Sequence, residues 1–227
     1  MNTKIQLERP GWPELLTGLA VFLVLLLPTA IAVGFFQGQP ALQGMIGSTA
    51  GGVAGVGGFA AAFAIRIRAL RPFGFVPVSW RWIVIASGLA VVGYGLNLLI
   101  QFVYVSLIGD DNPQGVLHAA AQGGALAFTL SLIGGALFTP FGEEILFRGV
   151  IANALNRYGA WAGVGVSAVI FGLVHGVSVI LPVAIMVGVL SAILFRRTGS
   201  IWPCVALHCV YNGTNSLASA LGFTPFQ

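Results

Sequence analysis

Hydrophobic residues fill this chain in long stretches, each ended by a short polar or charged interruption. About 20 apolar residues in a row are enough for a helix to cross a bilayer. Eight apolar stretches follow one another, and the predicted helical segments are residues 15–36, 42–65, 82–108, 117–139, 143–157, 161–177, 180–195 and 201–221. The pattern therefore predicts an all-α fold, a polytopic transmembrane helical bundle of about seven to eight spans.

The segment at residues 143–157 decides between seven and eight spans. It follows Pro140 and Gly142, which we expect to break the preceding helix because proline removes a backbone donor and clashes with the turn before it. The segment is short for a span. It is therefore either a separate crossing or a re-entrant or tilted piece, and the sequence leaves both open.

Positive charge predicts the orientation, because cytoplasmic loops of membrane proteins are rich in lysine and arginine. Lys4 and Arg9 precede the first span, and four arginines lie in the loop at residues 66–81. Both regions are expected in the cytoplasm, with the turn at residues 110–111 outside. Arg196 and Arg197 fall outside if residues 143–157 form a full span and inside if they do not.

Composition narrows the class of protein. Hydrophobic residues make up 57% of the 227 residues, charged residues 7%, and the mean hydropathy is +0.95. A soluble domain carries about a quarter charged residues, so a cytosolic globular enzyme is excluded. The net charge of +4 comes from scattered residues, and no nucleic-acid partner is expected. We expect one integral membrane domain over residues 1–227, with N-terminal spans in 1–112 and the polar motifs in 113–227.

Small residues predict one close helix contact. Gly47, Gly51 and Gly55 recur every four residues in the second predicted helix. A small residue every fourth position lets another helix approach closely inside a membrane. The two cysteines, Cys204 and Cys209, fall on different faces of the last predicted helix, so no disulfide between them is expected.

Ionisable side chains inside a bilayer are costly, by about 2.5–3.5 kcal/mol each, so their positions indicate function. The informative ones are Glu143, Glu144, Arg148, His175 and His208, which lie within or between apolar stretches. Glu144 and Arg148 are four residues apart and can pair on one helix face. Glu143 points about 100° away from Glu144, so it can face a cavity while the neighbouring carboxylate is neutralised.

The histidines add further polar groups. His175 follows Phe171 by four residues, and Asn212 follows His208 by four, so each pair shares a helix face. Alone, either could be a hydrogen-bonded residue between helices. Together, Glu143, His175, His208 and Asn212 supply a carboxylate, two imidazoles and an amide, which are the groups needed to activate water and stabilise an oxyanion.

These residues resemble the motifs of a known family. E-E-I-L-F-R at residues 143–148, F-G-L-V-H at 171–175 and H-C-V-Y-N at 208–212 are similar to E-E-x-x-x-R, F-x-x-x-H and H-x-x-x-N. These are the motifs of the CAAX-protease and bacteriocin-processing (CPBP, also called Abi) family of intramembrane endopeptidases, which includes the type II CAAX prenyl endopeptidases. All three motifs are complete and in the family's order.

The resemblance implies a glutamate-dependent endopeptidase whose site opens toward the cytoplasm. Glu143 would activate water with help from His175, and His208 and Asn212 would hold the oxyanion, with Glu144, Arg148 and Phe171 in support. The substrates would be peptides or proteins associated with the membrane. They could be prenylated proteins of the CAAX type or bacteriocin-like peptides. The location would be the cell membrane of a prokaryote, in contact with lipid and with the N-terminus in the cytoplasm.

Two alternatives remain open from the sequence. Two histidines and a glutamate are also a normal ligand set for catalytic zinc, although H-E-x-x-H is absent and an amide is a poor zinc ligand. We therefore expect no metal cofactor, with a zinc-dependent protease as the alternative. A non-catalytic membrane scaffold or proton-coupled transporter could use Glu143 and the histidines as a relay, but a relay needs neither Asn212 nor Arg148.

Overall fold

A computed structural model of the chain describes residues 9–109 and 114–223. These residues form helices and contain no strand, so the all-α prediction is confirmed. Within this part of the chain there are eight helices: α1 Trp12–Phe35, α2 Pro40–Ile65, α3 Trp80–Leu107, α4 Gly115–Gln122, α5 Ala125–Tyr158, α6 Trp161–Leu173, α7 Ile180–Thr198 and α8 Trp202–Ala220.

Five of the helices in the described residues are long and apolar enough to cross a membrane, namely α1, α2, α3, α5 and α7. Helix α6 is apolar but shorter, and α8 has 19 residues and packs against α3, α5 and α7. The chain is therefore a polytopic integral membrane protein. With α6 and α8 counted beside the five, seven helices run between the two ends of the bundle, at the lower end of the predicted range.

The expected break at Pro140 and Gly142 is wrong. Helix α5 runs without interruption through both residues for 34 residues, and the chain instead turns at Gly124, whose φ of 93° favours glycine. The turn just before Pro140 is a wider π-helical segment, Ile133–Phe138, and wider turns of this kind occur as bulges inside α-helices. We infer that this segment relieves the clash of the proline ring with the preceding turn.

The described arginines other than Arg148 lie at one end of the bundle, which we call the basic end. It comprises the start of α1 and the connections at residues 66–79, 159–160 and 199–201. Contacts between these segments hold them together: Arg66 with Glu14, Arg157 with Pro10, Ser200 with Val76 and Arg196 with Asn156. Because residues 143–157 continue α5, Arg196 and Arg197 lie at the same end as the loop at residues 66–81.

The opposite end comprises α4, the turns at residues 36–39, 123–124 and 174–179, and the last residues of α3 and α8. Gln122 Nε2 donates to the backbone oxygen of Ser219 at 3.0 Å, and His118 Nδ1 bonds the Ser219 hydroxyl. These bonds tie α4 to the end of α8. The short helix α4 therefore lies across this end of the bundle instead of forming a span with α5.

The glycine-containing face of α2 packs against α5, and the glycine spacing predicted such a close contact with another helix. A Cβ on Gly55 would lie 2.2 Å from the backbone oxygen of Gly142, and one on Gly51 would lie 2.1 Å from Glu143 Oε1. Gly47 has no atom within 4 Å of such a Cβ. Two of the three glycines thus allow the close approach, while the third leaves open space.

Candidate active site

Helix α5 supplies three ionisable side chains from the centre of the bundle. Glu143 is 5% exposed, and Glu144 and Arg148 are fully buried. As the helical period predicts, the two glutamates point in different directions. Glu143 faces a cavity, whereas Glu144 is enclosed by protein.

Glu144 links an arginine to a histidine. Its Oε2 lies 3.0 Å from Arg148 Nε, so the predicted pair between these residues is present, as a close ion pair without the angle of a hydrogen bond. Its Oε1 accepts a hydrogen bond from His208 Nδ1 at 2.9 Å. The Arg148 guanidinium also lies 4.6 Å from the centre of the Phe171 ring. Glu144 therefore orients His208 as well as compensating a buried charge.

Both motif histidines turn Nε2 toward Glu143. The distances are 4.0 Å from His175 Nε2 to Glu143 Oε1 and 3.9 Å from His208 Nε2 to Glu143 Oε2. His175 Nδ1 donates to the backbone oxygen of Phe171 at 2.7 Å. A carbonyl oxygen only accepts hydrogen bonds, so neutral His175 carries its proton on Nδ1 and has a free lone pair on Nε2.

Asn212 lies one helical turn beyond His208 on α8. Its Nδ2 donates to the backbone oxygen of Gly135 at 2.8 Å, in the π-helical segment of α5. An amide nitrogen carries two hydrogens, so one remains for a second acceptor. The bond fixes the amide in place beside the cavity.

The predicted site residues line one cavity of about 330 Å³, whose walls include Glu143, His175, His208 and Asn212. The four side chains come from α5, α8 and the connection after α6, and they meet on this one space. Phe171 also lines the cavity, whereas Glu144 and Arg148 lie behind it.

Sequence reasoning missed several residues that build this site. Thr139 Oγ1 donates to the backbone oxygen of Ser48 at 2.7 Å and accepts from the backbone N–H of Gly52 at 3.0 Å, so it joins α5 to α2. Its position four residues before Glu143, on the same helix face, was a usable signal. Further polar residues of the cavity wall carried no motif: Asn97, Gln114, His118, Asn215 and Ser216.

The distances between the donor atoms around Glu143 can be compared with those of a zinc site. Two ligands of a tetrahedral zinc ion at about 2.1 Å lie roughly 3.4 Å apart, and here the imidazole nitrogens are 3.9 and 4.0 Å from the carboxylate oxygens. Among residues 9–109 and 114–223, no group of three His, Cys, Asp or Glu side chains is placed to hold a metal ion.

Comparison with known proteins agrees with the family that the motifs resemble. Residues 124–214 match the family model of Rce1-like type II CAAX prenyl endopeptidases, and all three motifs lie within this range. This match supports the resemblance of the chain to the CPBP family. A relative in Bacillus subtilis (strain 168), named "Putative membrane peptidase YdiL", is 27% identical over 199 residues, covering 82% of this chain and 78% of its own length. No solved structure gives a significant match. The two matches support a membrane protease, a class of enzyme that acts on peptide or protein substrates.

Proposed function

We propose that this protein is an intramembrane endopeptidase in which Glu143 activates the attacking water. The convergence of Glu143, His175, His208 and Asn212 on one cavity is the observation that carries the proposal. All four residues belong to the three motifs. A scaffold or transporter has no need of this convergence, and the family match favours the protease.

The spacing of the polar atoms suits one water molecule. Hydrogen bonds to water are about 2.8 Å long, so atoms 4.0 Å apart can both bond the same molecule. A water between Glu143 Oε1 and His175 Nε2 would donate one hydrogen to each. Its lone pair is then free to point at a substrate carbonyl in the cavity.

The reaction follows from these positions. Glu143 accepts one proton from the water as the water oxygen forms a bond with the carbonyl carbon, and His175 holds the second hydrogen. Negative charge develops on the former carbonyl oxygen. The carbon–nitrogen bond then breaks, and the proton on Glu143 passes to the leaving amine. The products are a new carboxyl terminus and a new amino terminus.

His208 and Asn212 are the proposed oxyanion donors. In its imidazolium form, His208 donates from Nδ1 to Glu144 and from Nε2 into the cavity, and the buried Glu144 carboxylate stabilises that charge. The second N–H of Asn212 donates beside it. Removing one such donor from an oxyanion site costs about 10²–10³ in rate.

The walls of the cavity favour an internal segment of a peptide as substrate. Phe22, Leu26 and Val187 supply apolar surface, and side-chain amides and hydroxyls supply partners for peptide N–H and C=O groups. The described wall contains no lysine or arginine to hold a free C-terminal carboxylate. This absence supports endopeptidase activity, on a chain that arrives with or without a lipid anchor.

The proposed reaction needs no metal, because the protein groups supply both the base and the oxyanion donors. The zinc-dependent alternative would need the two imidazoles and Glu143 to move closer together than they are.

The test is proteolysis of membrane-tethered peptides by purified protein in detergent. Wild type should cleave an internal peptide bond, and Glu143→Ala should not. Mass spectrometry of both products identifies the cleaved bond, and thermal unfolding of each variant shows that the fold is retained. Cleavage by Glu143→Ala at the wild-type rate would refute the proposed role of this carboxylate.

A further inference from the structure

Asn97 brings a buried amide to the wall of the active-site cavity. It is 2% exposed, and of the residues of α3, all of which the structure describes, it alone lies in that wall. Its Oδ1 accepts a hydrogen bond from Gln101 Nε2 at 2.8 Å, one turn further along the helix. Its Nδ2 carries two hydrogens and has no acceptor among residues 9–109 and 114–223. Burying an amide without its hydrogen bonds costs free energy, so this group suits a ligand better than it suits packing.

Ser131 on α5 is a second polar group of the wall that lacks a partner. It is 7% exposed, and its hydroxyl is buried and bonds no other atom in the described part of the chain. A serine or threonine inside a helix commonly bonds the backbone oxygen four residues earlier, as Ser87, Ser106 and Thr129 do here. Ser131 does not make this bond. Its hydroxyl is therefore available to a ligand as donor or acceptor.

The contact between Asn212 and Gly135 gives the depth of Ser131 in the bundle. The hydrogen bond from the Asn212 amide to the backbone of Gly135 shows that α8 and α5 are level at this point. Ser131 precedes Gly135 by four residues, and a helix rises 1.5 Å per residue, so Ser131 lies about 6 Å nearer to the start of α5. It is thus about one helical turn from Asn212, toward the end of the bundle that carries α4.

Asn97 lies at the same depth on α3. A Cβ on Gly93 would lie 3.8 Å from Cδ2 of Tyr211, the residue before Asn212, so α3 and α8 are level there. Asn97 follows Gly93 by four residues, which again is about 6 Å toward the end that carries α4. The two groups without partners therefore lie one turn beyond the proposed oxyanion donors, on two helices that pack against α8.

From this shared depth and these unused groups we propose that Asn97 and Ser131 form a subsite that binds the backbone of the peptide substrate. An extended chain advances about 3.3 Å per residue, so 6 Å corresponds to about two residues. The subsite holds the backbone at about that distance from the cleaved bond. The identity of this ligand rests on the proposed function, because it is the peptide that the enzyme cleaves.

The chemistry of the subsite selects a peptide backbone over other ligands at a membrane. Asn97 Nδ2 donates to a carbonyl oxygen, and the Ser131 hydroxyl accepts from an N–H or donates to a second carbonyl, and a peptide carries both groups in almost every residue. A lipid chain has neither group. A phosphate head group would need a cationic partner, and the described wall contains no lysine or arginine.

Gln101 is a positioning residue for this subsite. Its Nε2 occupies Asn97 Oδ1, so the amide of Asn97 is held with its nitrogen turned away from Gln101. Without that bond, the amide could turn over and present an acceptor to the peptide carbonyl. We expect Gln101→Leu to weaken peptide binding, but less than the loss of the Asn97 donor.

The first experiment measures binding without using catalysis. A fluorescent lipid-tethered peptide is titrated with Glu143→Gln protein in detergent, and anisotropy gives its Kd. Adding Asn97→Leu, which is similar in size but has no donor, should raise the Kd about 10-fold, the effect of one lost hydrogen bond. Adding Ser131→Ala should raise it several-fold. An unchanged Kd with Asn97→Leu would overturn the proposal.

The matched control is Ser87→Ala on the same helix. Ser87 bonds the backbone oxygen of Ile83 and lies outside the cavity wall, so this change should leave the Kd unchanged. Thermal unfolding of each variant is measured beside the binding. A tenfold weaker binding that accompanied equal losses in Ser87→Ala would assign the effect to α3 as a whole and overturn the subsite.

The second experiment uses the active enzyme and locates the subsite on the substrate. With a full-length peptide, Asn97→Leu should raise KM about 10-fold and leave kcat unchanged, because the contact is equal in the ground state and the transition state. Peptides are then shortened from either end. Once a peptide no longer reaches the subsite, wild type and Asn97→Leu should have the same KM, because the two losses come from one contact and do not add. A tenfold difference that persists for every shortened peptide would overturn the proposal.

The two experiments together separate this proposal from the proposed function. Binding that depends on Asn97, with no cleavage by wild type under any condition, would refute the peptidase and support the subsite. Cleavage that depends on Glu143, with the same KM for wild type and Asn97→Leu, would support the peptidase and overturn the subsite.

Discussion

Two adjacent glutamates have separate surroundings, and this separation is the central feature at the scale of single residues. Glu143 faces the cavity between two imidazole nitrogens, whereas Glu144 is buried between Arg148 and His208. A helix turns about 100° per residue, so neighbouring side chains cannot address the same space. In the proposed reaction, Glu143 therefore acts on the water, and Glu144 holds His208 and Arg148 in place.

We predict different losses from neutralising the two glutamates. Glu143→Gln should lower the cleavage rate by at least about 10²-fold, the usual contribution of a general base, with little change in thermal unfolding. Glu144→Gln should lower the stability by about 3–5 kcal/mol because Arg148 is left as an uncompensated buried charge. It should also slow cleavage, because His208 loses the carboxylate that its Nδ1 contacts.

The double variant Glu144→Gln with Arg148→Gln is the control for the stability effect. It should recover part of the lost stability, since both buried charges disappear together. Thermal unfolding in detergent, measured beside peptide hydrolysis, checks all three variants. The two roles would have to be exchanged if Glu144→Gln kept full stability but lost all activity while Glu143→Gln stayed active.

Metal removal tests the chemistry of the same residues. We expect the protein to keep its full peptidase activity after prolonged chelation, because the proposed water contacts Glu143 and His175 alone. Elemental analysis of the purified protein before and after chelation is the accompanying measurement. One tightly bound zinc per chain, with activity lost on chelation and restored by zinc, would contradict the metal-independent reaction.

The sequence was informative about the site where contacts are local. The pairing of Glu144 with Arg148 follows from a spacing of four residues and is present. The bond between Glu144 and His208 spans 64 residues and depends on how α5 and α8 pack, which no spacing within one helix encodes. For the same reason, the sequence could not show that Asn212 bonds the backbone of Gly135.

At the scale of elements, α5 departs most from sequence expectation. The residues that usually break helices, Pro140 and Gly142, lie inside it, after a π-helical segment that we infer accommodates the proline. Gly142 is needed for packing, because a Cβ there would lie 2.4 Å from the backbone oxygen of Gly52. Local propensity therefore gave the wrong boundary, since it does not account for the neighbouring helix.

The contact between α2 and α5 yields a prediction about the catalytic geometry. Gly51→Ala would place a methyl group 2.1 Å from the present position of Glu143 Oε1, so the carboxylate must move. A displacement of about 1 Å can cost about 10²-fold in rate, and we expect a loss of that size. The cost in stability should be about 1–3 kcal/mol, as for other overpacked sites.

Gly95→Ala on α3 is the matched control, because a Cβ there meets no atom within 4 Å. It should keep full activity and unfold at the same or a higher temperature, since alanine favours helix by about 1 kcal/mol over glycine. The cleavage rate and thermal unfolding of both variants are the measurements. Equal activity in the two would mean that α2 does not constrain Glu143.

At the scale of the whole molecule, both halves of the chain build the site. The motifs lie in residues 143–212, yet the wall of the cavity includes Gly47 and Ser48 from α2 and Asn97 from α3. Hydropathy located six of the helices, α1, α2, α3, α6, α7 and α8, because each one is an apolar run, but it did not give the bounds of α4 and α5. It could not predict which helices meet, since lipid and protein interior are equally apolar and packing in membranes depends on small and polar residues.

This interdependence leads to a prediction for a divided chain. Residues 1–111 and 112–227, produced as two fragments that separate α3 from α4, should restore cleavage when they are expressed together and remain inactive singly. Helices that have inserted independently can still assemble through their packed faces. Here α2 packs on α5 through Gly51 and Gly55, Thr139 of α5 forms hydrogen bonds to the backbone of α2, and α3 packs on α8.

Co-purification through a tag on one fragment and hydrolysis of a tethered peptide measure the assembly, with Glu143→Gln in the second fragment as the inactive control. Wild-type activity from residues 112–227 alone would show that α1, α2 and α3 are dispensable for the site.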